Sequence, residues 1–261
     1  MQNYPGRGIF VEPMPFPKLT DKHLFESLLN PEDFTKYRKW TGKNFPSKII
    51  ITYQKKPLTY FRQKFRGRYR SFKFTGNHRL LIVGDLGFIK MTGIGAPHAV
   101  FTLERLIALG GKEFINMGSA GGLITDGIFL CTKAVRDEGT SHHYLPDGIY
   151  AYPDKKLTDK LGQSLIKRGF SFSRGSSWTI DAPYRETNRE VKHYQKNKVM
   201  TVEMEASALF AVEKLRKVKI ASVFVVSDVL GNDKWEPQYH DLGYKERLNQ
   251  MVDVAIDCLT N

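Results

Sequence analysis

The chain has 261 residues, of which 41 % are hydrophobic and 26 % are charged, and its formal net charge is +13. This composition argues against an intrinsically disordered chain, and the length suits one large α/β domain or two small ones. The two cysteines cannot build a disulfide framework, so we expect a reducing, cytoplasmic location. No apolar run approaches the roughly 18 residues of a membrane span, and residues 1–5 do not begin a signal peptide, so we expect no membrane partner.

The positive charge is concentrated in residues 34–84, which contain fourteen Lys and Arg residues, eleven aromatic residues and no Asp or Glu. The rest of the chain has 26 basic and 27 acidic residues, a net charge of −1. A basic segment interleaved with aromatic residues can bind nucleic acid, hold small anions or form a solvated surface. Composition alone does not choose among these three interpretations.

The predicted elements begin with a proline-rich segment of little periodicity. We interpret residues 1–46 as an irregular N-terminal extension with a short helix near residues 21–29, and residues 47–261 as the folded domain. Short apolar or alternating runs then predict four strands. These strands cover residues 48–53, 64–74, 79–84 and 87–91.

Helices and strands alternate in the rest of the chain. Apolar residues at helical spacing predict helices over residues 97–109, 157–168, 204–215 and 246–259. Apolar runs predict strands over residues 113–117, 128–135, 199–203 and 220–226. This alternation predicts an α/β protein of one domain, with a largely parallel or mixed sheet covered by helices on both sides.

Four segments follow predicted strands at the positions where sheets of this class bind ligands. They are residues 92–98, 118–122, 203–205 and 227–228. Glycines in the first two let the backbone approach a ligand closely, and a helix N-terminus offers free N–H groups to an anion. Each glycine loop can equally be a tight turn, and neither matches the dinucleotide fingerprint or the Walker phosphate loop.

The acidic residues in these segments have two interpretations each. Glu203 and Glu205 can be first-turn charges favoured by the helix dipole, or a carboxylate there can accept hydrogen bonds from a vicinal diol such as that of ribose. Asp228 can cap a helix, or it can give a proton to a leaving group. His98, His142 and His143 have no Cys or carboxylate at ligand spacing, so we predict no metal site.

Six collinear segments between about residues 80 and 258 resemble the purine nucleoside and uridine phosphorylase superfamily, which also contains methylthioadenosine and adenosine monophosphate nucleosidases. The segments are Gly93-Ile-Gly95, Gly118-Ser-Ala-Gly-Gly122, Arg136-Asp-Glu-Gly-Thr-Ser-His-His-Tyr-Leu-Pro146, Asp181-Ala-Pro-Tyr-Arg-Glu186, Val202-Glu-Met-Glu-Ala206 and Val226-Ser-Asp228. The resemblance implies a single-domain, three-layer α/β/α sandwich with a central mixed, partly barrel-like β-sheet.

The same resemblance implies a nucleoside phosphorylase. Such an enzyme converts a nucleoside, here leaning towards purine, and inorganic phosphate into free base and ribose-1-phosphate without a cofactor. It also implies a homo-oligomer, either hexamer or dimer. A phosphate-independent nucleosidase on the same fold is the main alternative. A protein that binds nucleic acid and a catalytically inactive relative are further alternatives, although we do not expect nucleic acid as a partner.

The resemblance also implies roles for individual residues. Glu205 would hold the ribose 2′- and 3′-hydroxyls, with Met204 packed beneath the sugar and Glu203 in support. Asp228 would protonate a purine ring nitrogen with the help of Arg247. The residues assigned to the base are Pro183, Tyr184 and Arg189, and those assigned to phosphate are Ser119, Gly95, Lys55, Lys56, Arg66 and Arg68.

Two departures from the family pattern concern the phosphate site. Phosphorylases of the family carry Gly-Asp-Pro-x-Arg after the first strand, and that arginine grips phosphate, whereas this chain has Tyr53-Gln-Lys-Lys-Pro57. A second phosphate arginine corresponds to Asn116. We therefore hypothesise that the lysines and arginines assigned to phosphate rebuild an anion site, in part across a subunit boundary. A solvated strand face is the alternative interpretation of these residues.

Overall fold

The computed structural model describes residues 16–19, 21–76, 78–231 and 234–261, and within them it contains eleven strands and seven α-helices. The strands are β1 (Lys48–Thr52), β2 (Arg70–Lys73), β3 (Arg79–Val83), β4 (Leu86–Lys90), β5 (Glu113–Gly122), β6 (Ile128–Asp137), β7 (Tyr150–Ala151), β8 (Ser173–Ile180), β9 (Val199–Glu203), β10 (Lys219–Gly231) and β11 (Lys234–Pro237). The helices are α1 (Pro31–Tyr37), α2 (Lys55–Lys64), α3 (Ala96–Ala108), α4 (Lys155–Lys167), α5 (Asn188–Lys196), α6 (Ala206–Arg216) and α7 (Leu242–Thr260).

All of these strands belong to one mixed sheet. Its order is β11-β10-β6-β8-β9-β5-β1-β4-β3-β2, with β7 paired to β6. Strand β1 runs parallel to β4 and β5, whereas β2, β3 and β4 form an antiparallel meander. Strand β10 also pairs with β5, which closes β10, β6, β8, β9 and β5 into a barrel. The predicted mixed, partly barrel-like sheet is therefore confirmed.

Helices cover both faces of the sheet, and β1 shows why its sequence is apolar throughout. Successive side chains of a strand point to opposite faces. Ile49 and Ile51 accordingly pack into the core under α3 and α6, while Ile50 packs into the core under α2, α4 and α7. All three isoleucines are fully buried. The predicted three-layer α/β/α sandwich is thus confirmed.

The predictions in chain order hold best for elements with a strong apolar pattern. Helices α3, α4, α6 and α7 lie where the helical spacing placed them, and β1, β3, β4, β6 and β9 coincide with predicted strands. Strands β5 and β10 begin at the predicted positions but extend further, to Gly122 and Gly231. The segment 118–122 is therefore the end of a barrel strand, and its prediction as a loop was wrong.

The strand predicted over residues 64–74 was also wrong in its first half. Residues 55–64 form α2, which starts with Pro57 in its first turn and buries Phe61 against the sheet. Residues 65–69 form a turn in which Gly67 adopts a φ of 73°, a left-handed conformation that glycine adopts without strain. Only Arg70–Lys73 is a strand, so the alternation of arginines continues from a turn into an edge strand.

The predicted N-terminal extension is partly helical. A 3₁₀ turn covers Lys22–Leu24, and α1 follows at residue 31, capped by the Asn30 side chain, instead of a helix over residues 21–29. Phe34 of α1 packs near Phe101 of α3, and Trp40 packs edge-on against Phe74. Residues 1–15 and 20 of the extension lie outside the described residues. The domain boundary at residue 46 stays a prediction.

Candidate active site

One cavity of about 720 Å³ lies where β5, β9 and β10 end. It brings together three of the four segments that the sequence analysis singled out, and Ile94 of the fourth lies at its rim. The side chains that matter for the chemistry are Tyr53, Gln54, Ser119, Pro183, Tyr184, Glu186, Glu203, Met204, Glu205, Asp228, Trp235 and Tyr239. These segments are far apart in the chain, and the order of the strands in the sheet brings them to one cavity.

Glu205 is the central carboxylate of this cavity. Its Oε1 accepts a hydrogen bond of 2.6 Å from the Gly95 backbone N–H, and the side chain is only 7 % exposed. Gly95 adopts a φ of 95°, so glycine is needed to aim this N–H at the carboxylate. Burial, and then the neighbouring Glu203, raise the pKa of Glu205 to about 8. Met204, between β9 and α6, reaches across to Gly95, which precedes α3.

Glu203 holds the loop that presents Glu205. Its Oε2 accepts hydrogen bonds from the backbone N–H groups of Glu205 and Ala206, at 2.8 and 2.7 Å, which are free donors at the start of α6. Its Oε1 accepts from the Thr179 hydroxyl at 2.5 Å. Burial raises the pKa of Glu203 to about 7. Both oxygens of Glu203 are therefore used by the protein, and its supporting role in sugar binding stays a prediction.

Asp228 lies on β10 at the other side of the cavity. Its Oδ1 accepts from the Ser227 hydroxyl at 2.7 Å and from the Tyr239 hydroxyl at 3.1 Å. Its Oδ2 accepts from the Trp235 indole N–H at 2.9 Å. The sequence analysis gave neither Trp235 nor Tyr239 a role in the site. Their signal is their position just after Asp228, where β11 folds back along β10.

The residues at the end of the cavity nearest β1 and β5 are polar but uncharged. Ser119 accepts a 3.0 Å hydrogen bond from the Gln54 side-chain amide. Asn116, at the position of the second phosphate arginine, is fully buried, accepts from the Tyr53 hydroxyl at 3.0 Å and donates to Ser222 at 3.1 Å. Burial, and then the two glutamates of the site, raise the pKa of Tyr53, so its hydroxyl stays protonated.

The basic residues assigned to phosphate lie outside the described lining of this cavity. Lys55 and Lys56 are exposed at the start of α2. Arg66 and Arg68 are exposed in the turn before β2, where the Arg68 guanidinium lies 5.3 Å from the centre of the Phe65 ring. Their predicted contribution from a neighbouring subunit stays a prediction. Gly95 directs its N–H to Glu205, so its assignment to phosphate also stays a prediction.

Of the three residues assigned to the base, two line the cavity and one lies outside its described lining. Pro183 and Tyr184 line the cavity, and Tyr184 is fully exposed. Arg189 is exposed in the first turn of α5 and is not part of the described lining. Glu186, which we did not predict, lines the cavity, and burial together with Asp228 raises its pKa to about 7.

Arg247 lies on α7, where one of its terminal nitrogens is 3.7 Å from the Asp241 carboxylate. Asp241 is the N-cap of that helix, so this ion pair ties Arg247 to the start of α7. Arg247 is not among the described residues that line the cavity. Its predicted role as the partner of Asp228 stays a prediction.

The described residues show neither a cluster of metal ligands nor a membrane-spanning helix. Within residues 16–19, 21–76, 78–231 and 234–261, no three His, Cys, Asp or Glu side chains come together as metal ligands. None of the helices described is long and apolar enough to cross a membrane. Cys131 and Cys258 are both buried and free.

The structure thus combines a partly barrel-like sheet with a Glu-Met-Glu segment at the end of β9 and an aspartate on β10 in one cavity. The sequence model of the phosphorylase superfamily matches residues 60–259. The chain belongs to the phosphorylase superfamily.

Individual relatives differ in their named activities. The chain is 27 % identical to a guanosine phosphorylase of Halorubrum lacusprofundi over 177 residues, which cover 65 % of this chain and 73 % of the relative. It is 30 % identical to a uridine phosphorylase of Treponema pallidum over 155 residues, which cover 53 % of this chain and 59 % of the relative. The crystal structure of an AMP nucleosidase from Bacteroides thetaiotaomicron superimposes with a TM-score of 0.72 at 20 % identity, covering 88 % of this chain and 97 % of that one. At 20 % identity, the similarity to the AMP nucleosidase structure shows a shared fold alone.

Proposed function

We propose that this protein cleaves the N-glycosidic bond of a purine nucleoside, with Glu205 binding the ribose and Asp228 protonating the base. The observation that carries this proposal is that the buried carboxyl groups of Glu205, at the start of α6, and Asp228, on β10, line one cavity. The two groups have different partners, because Glu205 is held by a backbone amide and Asp228 by three side-chain donors. Different surroundings suit two carboxyl groups to different roles.

Glu205 is suited to a sugar that becomes positively charged. One of its oxygens is held by Gly95, which leaves the other to accept hydrogen bonds from the 2′- and 3′-hydroxyls. Its pKa of about 8 keeps it largely protonated at neutral pH. Positive charge that develops on the sugar as the bond breaks favours the ionised form, so the attraction is strongest in the transition state.

Asp228 is suited to protonate the base as the N-glycosidic bond breaks. A purine leaves more easily when a ring nitrogen is protonated, and a carboxylic acid within hydrogen-bond reach can supply that proton. Once the proton has moved, the carboxylate is stabilised by the Ser227, Tyr239 and Trp235 donors that already surround it. Tyr184 and Pro183 at the rim are available to contact the base.

The uncharged polar residues at the β1–β5 end of the cavity support water as the nucleophile. Gln54 and Ser119 can hydrogen-bond a water molecule, whereas Asn116 is committed to Tyr53 and Ser222. A phosphate dianion there would also be repelled by the carboxylates of the site whenever these are ionised. Hydrolysis of the nucleoside to free base and ribose is therefore the activity that the geometry supports best.

Phosphorolysis is the second candidate, and a specific observation favours it. Arg66 and Arg68 are exposed beside an edge strand, so they are available to a neighbouring subunit. Relatives at 27 and 30 % identity carry the names guanosine phosphorylase and uridine phosphorylase. In this case the site would be completed by a second copy of the chain, and inorganic phosphate would be a co-substrate.

One assay separates these candidates. The purified protein is incubated with inosine, guanosine, adenosine and uridine, each with and without inorganic phosphate, and free base and sugar products are quantified. We expect release of a purine base without phosphate, with ribose as the sugar product. Strictly phosphate-dependent release with ribose-1-phosphate would replace hydrolysis by phosphorolysis, and Arg66→Ala and Arg68→Ala should then raise the KM for phosphate. No base from any nucleoside would refute the proposed function.

Two carboxyl-to-amide variants test the assigned roles. Asp228→Asn should lower kcat by about 100- to 10,000-fold, the usual contribution of a positioned general acid. Glu205→Gln should lower kcat/KM by about 10- to 100-fold, because glutamine cannot form the charged hydrogen bonds to the ribose hydroxyls that the ionised carboxylate forms in the transition state. That loss should largely disappear with a 2′,3′-dideoxynucleoside. Glu246→Gln, on the exposed side of α7, is the matched control and should retain full activity.

A further inference from the structure

The antiparallel pair of strands β10 and β11 brings the side chains of Trp235 and Tyr239 into hydrogen-bond contact with Asp228. Strand β11 pairs only with β10 among the described strands, with Asp228 opposite Pro237 and Leu230 opposite Trp235. The hairpin is extended by a hydrogen bond of 2.8 Å from the Gln238 N–H to the Ser227 carbonyl, which places Tyr239 beside the same carboxylate. Residues 235 and 239 therefore reach Asp228 from one short piece of chain.

Hydrophobic burial does not account for the position of Trp235. Its side chain is 60 % exposed, and every residue of β11 is exposed. Its specific contact with the protein is the hydrogen bond of 2.9 Å from the indole N–H to Asp228 Oδ2. The hydrogen bond to Asp228 is therefore the contact that fixes the Trp235 indole in this position.

The donors are divided between the two oxygens of Asp228. Trp235 donates to Oδ2, whereas Tyr239 and Ser227 donate to Oδ1. The torsion that turns a carboxylate about its terminal bond has only a broad preference, so donors on one oxygen would leave its plane loosely defined. Donors on both oxygens define that plane, and Tyr239 is itself packed edge-on against Tyr244.

We infer that Trp235 and Tyr239 are the positioning residues of the acid Asp228, in place of the arginine that sequence resemblance assigned to it. They orient the carboxyl group towards the base and stabilise the negative charge that appears on it when the proton is transferred. Arg247 instead pairs with Asp241 at the start of α7. This inference rests on the proposed function, because it concerns how its acid works.

The test compares two nucleosides that differ in their need for an acid. Guanosine must be protonated before the base leaves, whereas 7-methylguanosine already carries a positive charge on the base. Trp235→Phe keeps an aromatic ring but removes the indole donor to Oδ2, and we expect it to lower kcat on guanosine about 10- to 100-fold. Its kcat on 7-methylguanosine should equal that of the wild type. Asp228→Asn should show the same split.

Tyr239→Phe should show the same selectivity with a smaller loss on guanosine, because Ser227 still donates to Oδ1. Trp40→Phe, in the distant aromatic cluster with Phe74, is the matched control and should leave both rates unchanged. An Arg247→Gln variant tests the competing assignment on both substrates.

The outcomes are distinct. A wild-type rate for Trp235→Phe on guanosine would overturn the positioning role, and so would an equal loss on both substrates, because general damage to the fold does not distinguish them. A selective loss on guanosine confined to Arg247→Gln would return the role to the arginine. A wild-type protein that releases no base from either nucleoside would refute the proposed function itself.

Discussion

Replacing Glu205 by glutamine should remove a large part of the pH dependence of the protein's stability. Burial and the neighbouring Glu203 raise the pKa of Glu205 from 4.5 to about 8 in the folded protein. Between these two values the folded state binds a proton that the unfolded state has released, so the free energy of unfolding falls as the pH rises. Each unit of pKa difference corresponds to about 1.4 kcal/mol, so the total loss is on the order of 5 kcal/mol.

Glutamine resembles the protonated carboxyl group, and its side-chain oxygen can still accept the Gly95 N–H. The assay is urea unfolding of the wild type, Glu205→Gln and the control Glu246→Gln at several values between about pH 5 and pH 9. Glu203, whose pKa is raised to about 7, remains in both proteins and keeps a pH dependence of its own. The difference between wild type and Glu205→Gln should therefore grow with pH in favour of the variant. Parallel pH profiles would show that Glu205 is ionised at neutral pH, and would refute the reasoning.

Two further predictions concern strand β5, which contributes Ser119 to the cavity. Gly122→Ala should destabilise the protein by about 1–3 kcal/mol, because the new Cβ collides with the Thr125 carbonyl oxygen. Thermal unfolding measures this, and an equal Tm for Gly122→Ala and the wild type would contradict it, whereas Gly148→Ala meets only ordinary contacts and serves as control. Asn116→Leu should cost about 1–3 kcal/mol in urea unfolding, because the buried Tyr53 hydroxyl loses its acceptor. Adding Tyr53→Phe should recover part of that loss, and purely additive effects would show that the hydrogen bond is unimportant.

The elements that sequence patterns predicted are those whose burial is regular. Helix α3 carries a continuous apolar stripe, and β1 is apolar on both faces because both faces are covered. A pattern of this kind reflects the environment of each residue directly. Such elements can be predicted without knowledge of their neighbours.

The missed elements lack that regularity. Helix α5 buries only Val191, so its polar sequence carries no apolar stripe, and its available signal was the capping box between Thr187 and Glu190. Helix α2 buries only Pro57 and Phe61, so its sequence carries no continuous apolar stripe, and no element was predicted over residues 54–63. The glycines of residues 118–122 indicated a loop, but they allow a barrel strand to pass close to Leu230 and to Thr125.

The structure changes the interpretation of the basic residues in segment 34–84. Residues 34–84 carry a net charge of +14, and the structure spreads their fourteen basic residues from α1 through β1, α2, the following turn and β2 to β3. Arg66 and Arg68 are on the outer surface, while the interior cavity is lined by Gln54 and Ser119 at its β1–β5 end. The charge therefore belongs to the surface, where only an assay with a second subunit or an added anion can show its use.

Local sequence patterns identified the carboxyl groups that follow apolar strand runs, because the runs before Glu203 and Asp228 can be recognised without knowledge of their neighbours, although β10 continues past Asp228 to Gly231. The tertiary structure alone decided what each group contacts. Glu205 meets Gly95 across 110 residues, and Gln54 meets Ser119 across 65. Local periodicity acts over a few residues, whereas these contacts depend on which strands become neighbours in the sheet. The packing of the whole chain determines which strands become neighbours, so no single segment of the sequence predicts these contacts.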